Sequence, residues 1–434
     1  MKDKLLGLGI LLASTGAFAQ SSGSSSVELY GVFDIGVGHS QYALSNDSNF
    51  PVGIGPVVTH YATQAVTGMF NGGLGGSNFG IKGAEDLGSG WKATFKLESG
   101  FNSFDGALNN GVGSVANNLA GAKQVTTNGD SSLAGQLFNR EATVGLSSSQ
   151  YGSFTFGRNN TLGYDSLIAF DVMGGSYVFS PFGYYGSYGG GGFTEDYRID
   201  NSVKYRYRAD NGLNFGALYK FGGQAGSTNA QSEWQFTLGY TNGPFSVQGL
   251  YSSVHDGISA TNAATPGDVA ITVADTTAYM LAASYQFDAL RVSGGYERLD
   301  YNNPSNRGLD ATIGSVFGYP VAGTPSTTAY TIEKQLDVYF AGLSYNFTPA
   351  ATGAIAYYDI HQNDYSGGAC AASDTVSSKC AGNNKFWSLM GTYKFSKRTT
   401  VYAGYLYSEV DGGYASGFVH DNNNFFGTGI RHAF

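Results

Sequence analysis

Charge is scarce in this chain, and long apolar runs are scarcer still. Asp, Glu, Lys and Arg make up 13% of its 434 residues, about half the usual share. A soluble protein of this length carries more charge than that. Beyond the leader, no stretch approaches the ~18 apolar residues of a membrane-crossing helix, so a helical membrane protein is excluded. Proline is rare at 9 residues and cysteine rarer at 2. The two cysteines, Cys370 and Cys380, sit in one polar loop, SGGACAASDTVSSKCAGNN. In an exported protein such a pair predicts one disulfide, and a metal site would need further ligands at a suitable spacing. G-x-S-x-G, H-E-x-x-H and Walker glycine motifs are missing, and the six histidines are scattered. The acid pairs Glu85–Asp86, Glu195–Asp196 and Glu297–Asp300 could serve a glycosidase, but they lie at turns and loop edges, where solvated charge is the plain reading. No enzyme activity, metal or cofactor is expected. A net charge of −9 argues against a nucleic-acid partner, which calls for a basic face.

What is abundant is glycine and aromatic rings: Gly 65, Tyr 31 and Phe 29, with aromatics at 15% and total hydrophobics at an ordinary 42%. That balance suits a wall facing lipid on one side and water on the other. The N-terminus supplies the compartment. Lys2 and Lys4 precede the apolar Leu5–Leu12, and Ala17-Phe18-Ala19 forms a small-x-small cleavage site. Residues 1–19 therefore read as a secretory signal peptide, and 20–434 as the mature domain with a polar Ser21–Ser26 lead-in.

Period-two alternation, the primary strand signal, recurs after Val27. Leu29, Phe33, Ile35 and Val37 share one face, with Glu28 and Asp34 on the other; Trp91, Ala93, Phe95 and Leu97 oppose Lys92, Thr94, Lys96 and Glu98. Short turns at 86–90, 148–150, 209–212, 241–244, 288–289, 348–350 and 396–397 alternate with long polar loops. The loops fall near 40–73, 102–136, 159–196, 222–231, 256–275, 302–332, 362–384 and 411–422. Strict alternation of this kind marks an outer-membrane barrel with tight periplasmic turns and long external loops. Counting between connections predicts an all-β, sixteen-stranded antiparallel transmembrane β-barrel in a Gram-negative outer membrane. Such a barrel leaves an aqueous channel. Aromatic pairs expected at short turns (Tyr219 and Phe221, Tyr285 and Phe287, Tyr345 and Phe347, Tyr393 and Phe395) form the interfacial belt. The last strand ends on Phe434, and closure against the first strand is required because lipid tolerates no open sheet edge.

The third loop is too long and glycine-rich for a hairpin. Thr161–Thr194 reads as neither helix nor plain strand, carries Asp165 and Asp171, and is expected to fold into the lumen. After it, Ile199, Val203, Tyr205 and Tyr207 share one face. Arg198, Lys204, Arg206 and Arg208 share the other, a basic row that belongs in water.

Leu29-Tyr30-Gly31, NFGIKGAEDL (78–87), FKLESGF (95–101), FNREATVGL (138–146), YGSFTFGRN (151–159), 201–207 and the closing GIRHAF resemble the general trimeric porins of Gram-negative outer membranes, the β-proteobacterial branch above all. The resemblance runs the length of the mature chain. It implies a homotrimer among outer-membrane lipids and lipopolysaccharide, recognised by the barrel-assembly machinery through Phe434. It also implies an inward third loop (159–196) whose acid, matched by Asp171, faces wall arginines matched by Arg140 and Arg198. Alternation alone points Arg140 at lipid. Asn78 stands where the family has a third arginine, and Ser180-Pro181-Phe182-Gly183 lacks the family's acid, so the transverse field is weakened. With Lys96, these residues form the expected constriction. The implied function is a general diffusion channel for ions and small hydrophilic solutes. The alternative is a substrate-specific channel for a sugar or organic acid, lined by the loop aromatics Tyr177, Phe179, Phe182, Tyr184, Tyr185 and Tyr188.

Overall fold

The computed structural model describes residues 25–44, 62–108, 124–125, 137–185, 197–223, 225–255, 260–261, 275–303, 315–316, 319–320, 330–368, 370 and 377–434. The expected signal peptide, 1–19, lies outside the described residues, as does the 186–196 part of the third loop.

The wall is one antiparallel sheet closed on itself. Its first half comprises β1 (Ser26–Ser40), β2 in two pieces (Val66–Asn71 and Asn78–Gly88), β3 (Trp91–Gly100), β4 (Glu141–Ser148), β5 (Gly152–Asn160), β6 (Arg198–Arg208), β7 (Leu213–Lys220) and β8 (Glu233–Asn242). The second comprises β9 (Phe245–Val254), β10 (Asp275–Phe287), β11 (Leu290–Asn302), β12 (Lys334–Asn346), β13 (Ala351–Gln362), β14 (Gly382–Lys394), β15 (Thr399–Gly412) and β16 (Asn422–Ala433). Seventeen hydrogen-bonded segments, two of them halves of β2, make the sixteen strands expected. The piece Val66–Asn71 lies inside what the sequence presents as loop 40–73. The glycine-rich NGGLGGS that follows hides it, because it splits the strand before the alternation has run long enough to register.

Closure is complete. β1 pairs with β16 from Val32↔Ala433 to Ser40↔Phe425, and Phe434 exchanges both backbone hydrogen bonds with Gly31, at 3.0 and 3.2 Å. No open edge is left between the first and last strands, as a hydrocarbon surround demands. The outer face is apolar: Leu29, Leu238 and Leu281 are 67%, 65% and 61% exposed, whereas the lumenal Asp34 and Glu297 are fully covered. Polar inside and apolar outside is the inverse of a soluble core. Among the described residues no helix is long and apolar enough to span a membrane; the chain crosses with strands.

Three of the aromatic pairs precede short turns, with ring centroids 4.3 Å apart for Tyr285–Phe287, 5.1 Å for Tyr345–Phe347 and 5.2 Å for Tyr393–Phe395. Tyr219 and Phe221 lie instead at the external end of β7, beside Trp234 at 4.1 Å. That strand runs away from its short turn, so the pair joins the opposite belt. In the loop after β13, Cys370 and Cys380 are disulfide-bonded with Cα atoms 5.7 Å apart, and Gln362 Nε2 donates to the Cys380 carbonyl at 2.8 Å.

Candidate functional site

The third loop contains a helix that glycine content obscured: α1, Leu162–Phe170, followed by the short α2, Pro181–Tyr185. Thr161 caps α1 by accepting from Tyr164 N at 3.1 Å. The wall completes the cap, since Gln235 Oε1 of β8 accepts from Leu162 N at 2.8 Å and Gly163 N at 3.0 Å. These are orphan donors of a helix start, so α1 exists because the barrel receives it.

From there the loop follows the inner wall. Gln248 of β9 bonds Ser166, Arg291 and Ser293 of β11 reach the Ala169 and Phe170 carbonyls, and Ser388 of β14 donates to the Phe179 carbonyl. Arg291 places a cation at the negative end of the helix. Ser176 donates to the Gly73 carbonyl in the interruption of β2. That interruption is itself tied down by Asp34, which accepts from Gly73 N (2.9 Å), Leu74 N (3.0 Å), Gly75 N (3.2 Å) and Tyr402 Oη (2.7 Å). Gly73 has no substitute, because a Cβ there would overlap the Tyr402 ring.

Asp171 belongs to this attachment. Its carboxyl is buried and accepts from Tyr358 Oη (2.6 Å), Ser180 Oγ (2.8 Å), Gly175 N (2.9 Å) and Met173 N (3.0 Å). Gly174 and Gly175 both take φ 64° in the turn that follows, a conformation reserved for glycine in practice. The acid that meets the wall cations is Asp165. Its Oδ2 lies 2.5 Å from Lys204 Nζ and 2.7 Å from Arg206 Nη2.

The wall facing α1 carries a second cluster. Glu98 is nearly buried and accepts from Arg140 Nε, from Lys96 Nζ at 3.1 Å and from Tyr30 Oη at 2.8 Å; Lys96 also binds Glu141. Arg140 thus faces the lumen although alternation points it at lipid. It precedes the first residue of β4, so strand parity does not govern it.

The expected basic row is broken. Asp200 and Asn201 form a bulge in β6, with Asn201 at φ 51° and the register to β5 shifting between Gly157↔Ser202 and Asn159↔Ile199. One extra residue shifts the alternation at that point. Ile199, assigned to the lipid face by alternation, is therefore fully buried against the loop core. Arg198 leaves the row and lies fully buried with its guanidinium 5.0 Å from the Tyr164 ring centre. Arg158, opposite the bulge, bonds Asp200 at 2.6 Å. Asn78 gives its amide to the Gly76 carbonyl at 2.9 Å. Arg208 is exposed at the far end of β6, away from the loop. The structure thus groups Lys96, Arg140, Lys204 and Arg206, leaves Arg198 beside α1 on Tyr164, and disperses Asp171, Asn78 and Arg208. Glu98, Glu141, Tyr30 and Asp34 join as residues that sequence reasoning did not select. The first three lie in the motifs FKLESGF, NREA and LYG, where a glutamate beside each cation was the available signal.

The Gram-negative porin family matches residues 7–413. The chain is a Gram-negative porin. It is 30% identical over 461 residues to an outer membrane porin protein of Bordetella pertussis, covering 100% of both chains. Among solved structures, an anion-selective porin from Comamonas acidovorans aligns with a TM-score of 0.62 at 19% identity, over 95% of this chain and 100% of that one. The Vibrio cholerae outer membrane protein OmpT, in a trimer form, aligns at 0.56 and 15% identity, over 95% and 100%. As a porin of the outer membrane, the chain reads as a transport protein.

The Asp165 link should make this porin sensitive to strong acid. Burial disfavours its ionised form, but Arg206 and Lys204 outweigh that and hold the carboxyl below the usual range. With a depressed folded value, the stabilisation is complete above the unfolded value of about 3.9 and is lost as pH falls through the folded one. Reversal potentials should be steady from neutral pH down to about 4 as far as Asp165 is concerned. Below that they should move toward anions, and Asp165→Asn should reproduce the shift at neutral pH.

Proposed function

We propose that this porin is a general diffusion channel, passing ions and small hydrophilic solutes down their gradients through the gap between the third loop and the wall of β2 to β6. The observation that carries the reading is the attachment of α1 and its sequel to β8, β9, β11, β13 and β14, which holds the loop inside the barrel and sets Asp165 against the cations of β6. In this reading Lys96, Arg140, Lys204 and Arg206, interleaved with Glu98, Glu141 and Asp165, line the narrow zone. Four cations against three acids give a mild anion preference, because rings of charge set selectivity. Asp171 holds the loop rather than supplying the field, Asn78 supports the backbone, and Arg198 packs against the Tyr164 ring of α1. Residues 1–19 are removed as a signal peptide.

A homotrimer fits the apolar outer face of β1 to β5, where Phe33, Phe79, Val144 and Phe156 are exposed in the single chain, and the trimer form of OmpT adds support. The remaining wall meets outer-membrane lipid and lipopolysaccharide, and the closing strand ending at Phe434 is the segment offered to the assembly machinery. Against a substrate-specific channel, Phe179 and Phe182 are buried on the wall side, against Tyr402, Phe425, Phe340 and Tyr358, so they offer no stacking surface to a sugar. Planar-bilayer recordings should give stepwise conductance with a slightly anion-directed reversal potential. Liposome swelling should fall smoothly with solute size; saturation by one solute would instead establish the specific channel.

A further inference from the structure

The lumen holds further cations beyond those of the narrow zone. Lys92, Arg208, Arg291, Lys394 and Arg431 sit on β3, β6, β11, β14 and β16, each within three residues of the short-turn end of its strand. At about 3.3 Å per residue, all five lie within ~10 Å of the periplasmic rim. Each faces inward. Lys92 has the parity of Lys96, and Arg208 that of Lys204 and Arg206. Arg291 reaches the α1 carbonyl inside the barrel. Lys394 alternates with the outward Tyr393, and Arg431 is in register with the lumenal Asp34.

Among the described residues none of the five forms a salt bridge, whereas Lys82, Lys96, Arg140, Lys204 and Arg206 all do. Asp34 lies across the sheet from Arg431 and Asp86 from Lys92, each offsetting part of one cation without closing to a salt bridge. Asp210 and Asp288 lie in the turns themselves, and Arg208, Arg291 and Lys394 have no acid directly opposite. Apart from Arg291, which also holds the end of α1, none of the five takes part in the narrow zone.

We infer that these five residues form a separate selectivity element, an inner-mouth ring that gathers small multivalent anions on the periplasmic side. The inference rests on the channel function proposed above, but not on the charges of the narrow zone. Spread around five of sixteen strands, the cations act together on an ion at the mouth. Three of them, each about one Debye length from a trivalent anion at 0.1 M salt, raise its occupancy roughly tenfold. At 1 M salt, where the Debye length is about 3 Å, the effect vanishes.

The test uses the full mature chain inserted in one orientation in a planar bilayer at 0.1 M KCl, with trimetaphosphate as the probe. Added at the short-turn side, trimetaphosphate should reduce KCl conductance at about one-tenth the concentration needed from the loop side. Lys92→Gln/Arg208→Gln/Lys394→Gln, which spares the two residues that touch the loop or Asp34, should remove that asymmetry while keeping the open-channel conductance at 1 M KCl. Equal block from both sides in the parent, or undiminished asymmetry in the triple variant, would overturn the ring. A parent that passes no current refutes the channel reading instead, so the two failures are distinguishable.

Discussion

Asp171→Ala should raise single-channel conductance and open-channel noise while leaving the strand content of the barrel unchanged. The carboxyl ties the turn after α1 to itself through Met173 N, Gly175 N and Ser180, and to the wall through Tyr358. Truncation strands those donors in a buried place, at about 1–3 kcal/mol for each that finds no substitute. Even ~3 kcal/mol shifts the local open-to-docked ratio of the loop by roughly a hundredfold. The barrel ladder does not depend on this contact, so the loss is confined to the loop. Asp171→Asn separates anchoring from charge. Its carbonyl oxygen can keep Tyr358 and Met173, and Ser180 can turn to accept from the new amide, but Gly175 N–H then meets a second donor. The asparagine variant should therefore fall between parent and alanine in noise, with little change in reversal potential. A large anion-directed shift with a quiet open channel would return Asp171 to the role of a field-setting acid.

The barrel was legible because its wall has two solvents. Leu29 beside Glu28 and Phe95 beside Lys96 obey a period of two, imposed by hydrocarbon on one side and water on the other, and turn lengths alternate for the same reason. Local chemistry that interrupts this period was not legible from it. Asn201 takes a left-handed conformation that asparagine tolerates better than most residues, and that one residue moved Ile199 indoors and took Arg198 out of its row. A sequence reading alert to Asp-Asn inside a strand could have allowed for the bulge. The helix in the third loop had a signal too, in Thr161 before LGYDSLIAF, but half of its cap comes from Gln235, more than seventy residues away. The division of labour between Asp165 and Asp171 had no local signal. It depends on which wall the loop follows, and the deciding partner, Tyr358, is 187 residues further on.

The largest change in selectivity should come from Glu98→Gln. In the parent, Glu98 sits between Arg140 and Lys96 with Tyr30 donating to it, so it is the acid that most directly offsets the wall cations. The amide keeps the shape and removes one negative charge. A unit charge about 5 Å from a passing ion, partly screened at 0.1 M salt, biases anions and cations in opposite senses, so their permeability ratio should rise about fivefold. Breaking a buried pair also costs about 3–5 kcal/mol where the partner charge is left uncompensated. Here Lys96 retains Glu141, which limits that cost to Arg140. Charge counting then supplies the control. Adding Lys96→Met to Glu98→Gln restores the original sum and should bring the ratio back near the parent, while 1 M salt should abolish the difference between all three proteins. A Glu98→Gln channel whose reversal potential matches the parent at 0.1 M salt would mean that ions pass elsewhere than beside this cluster, and the wall of β2 to β6 would lose its claim to the narrow zone.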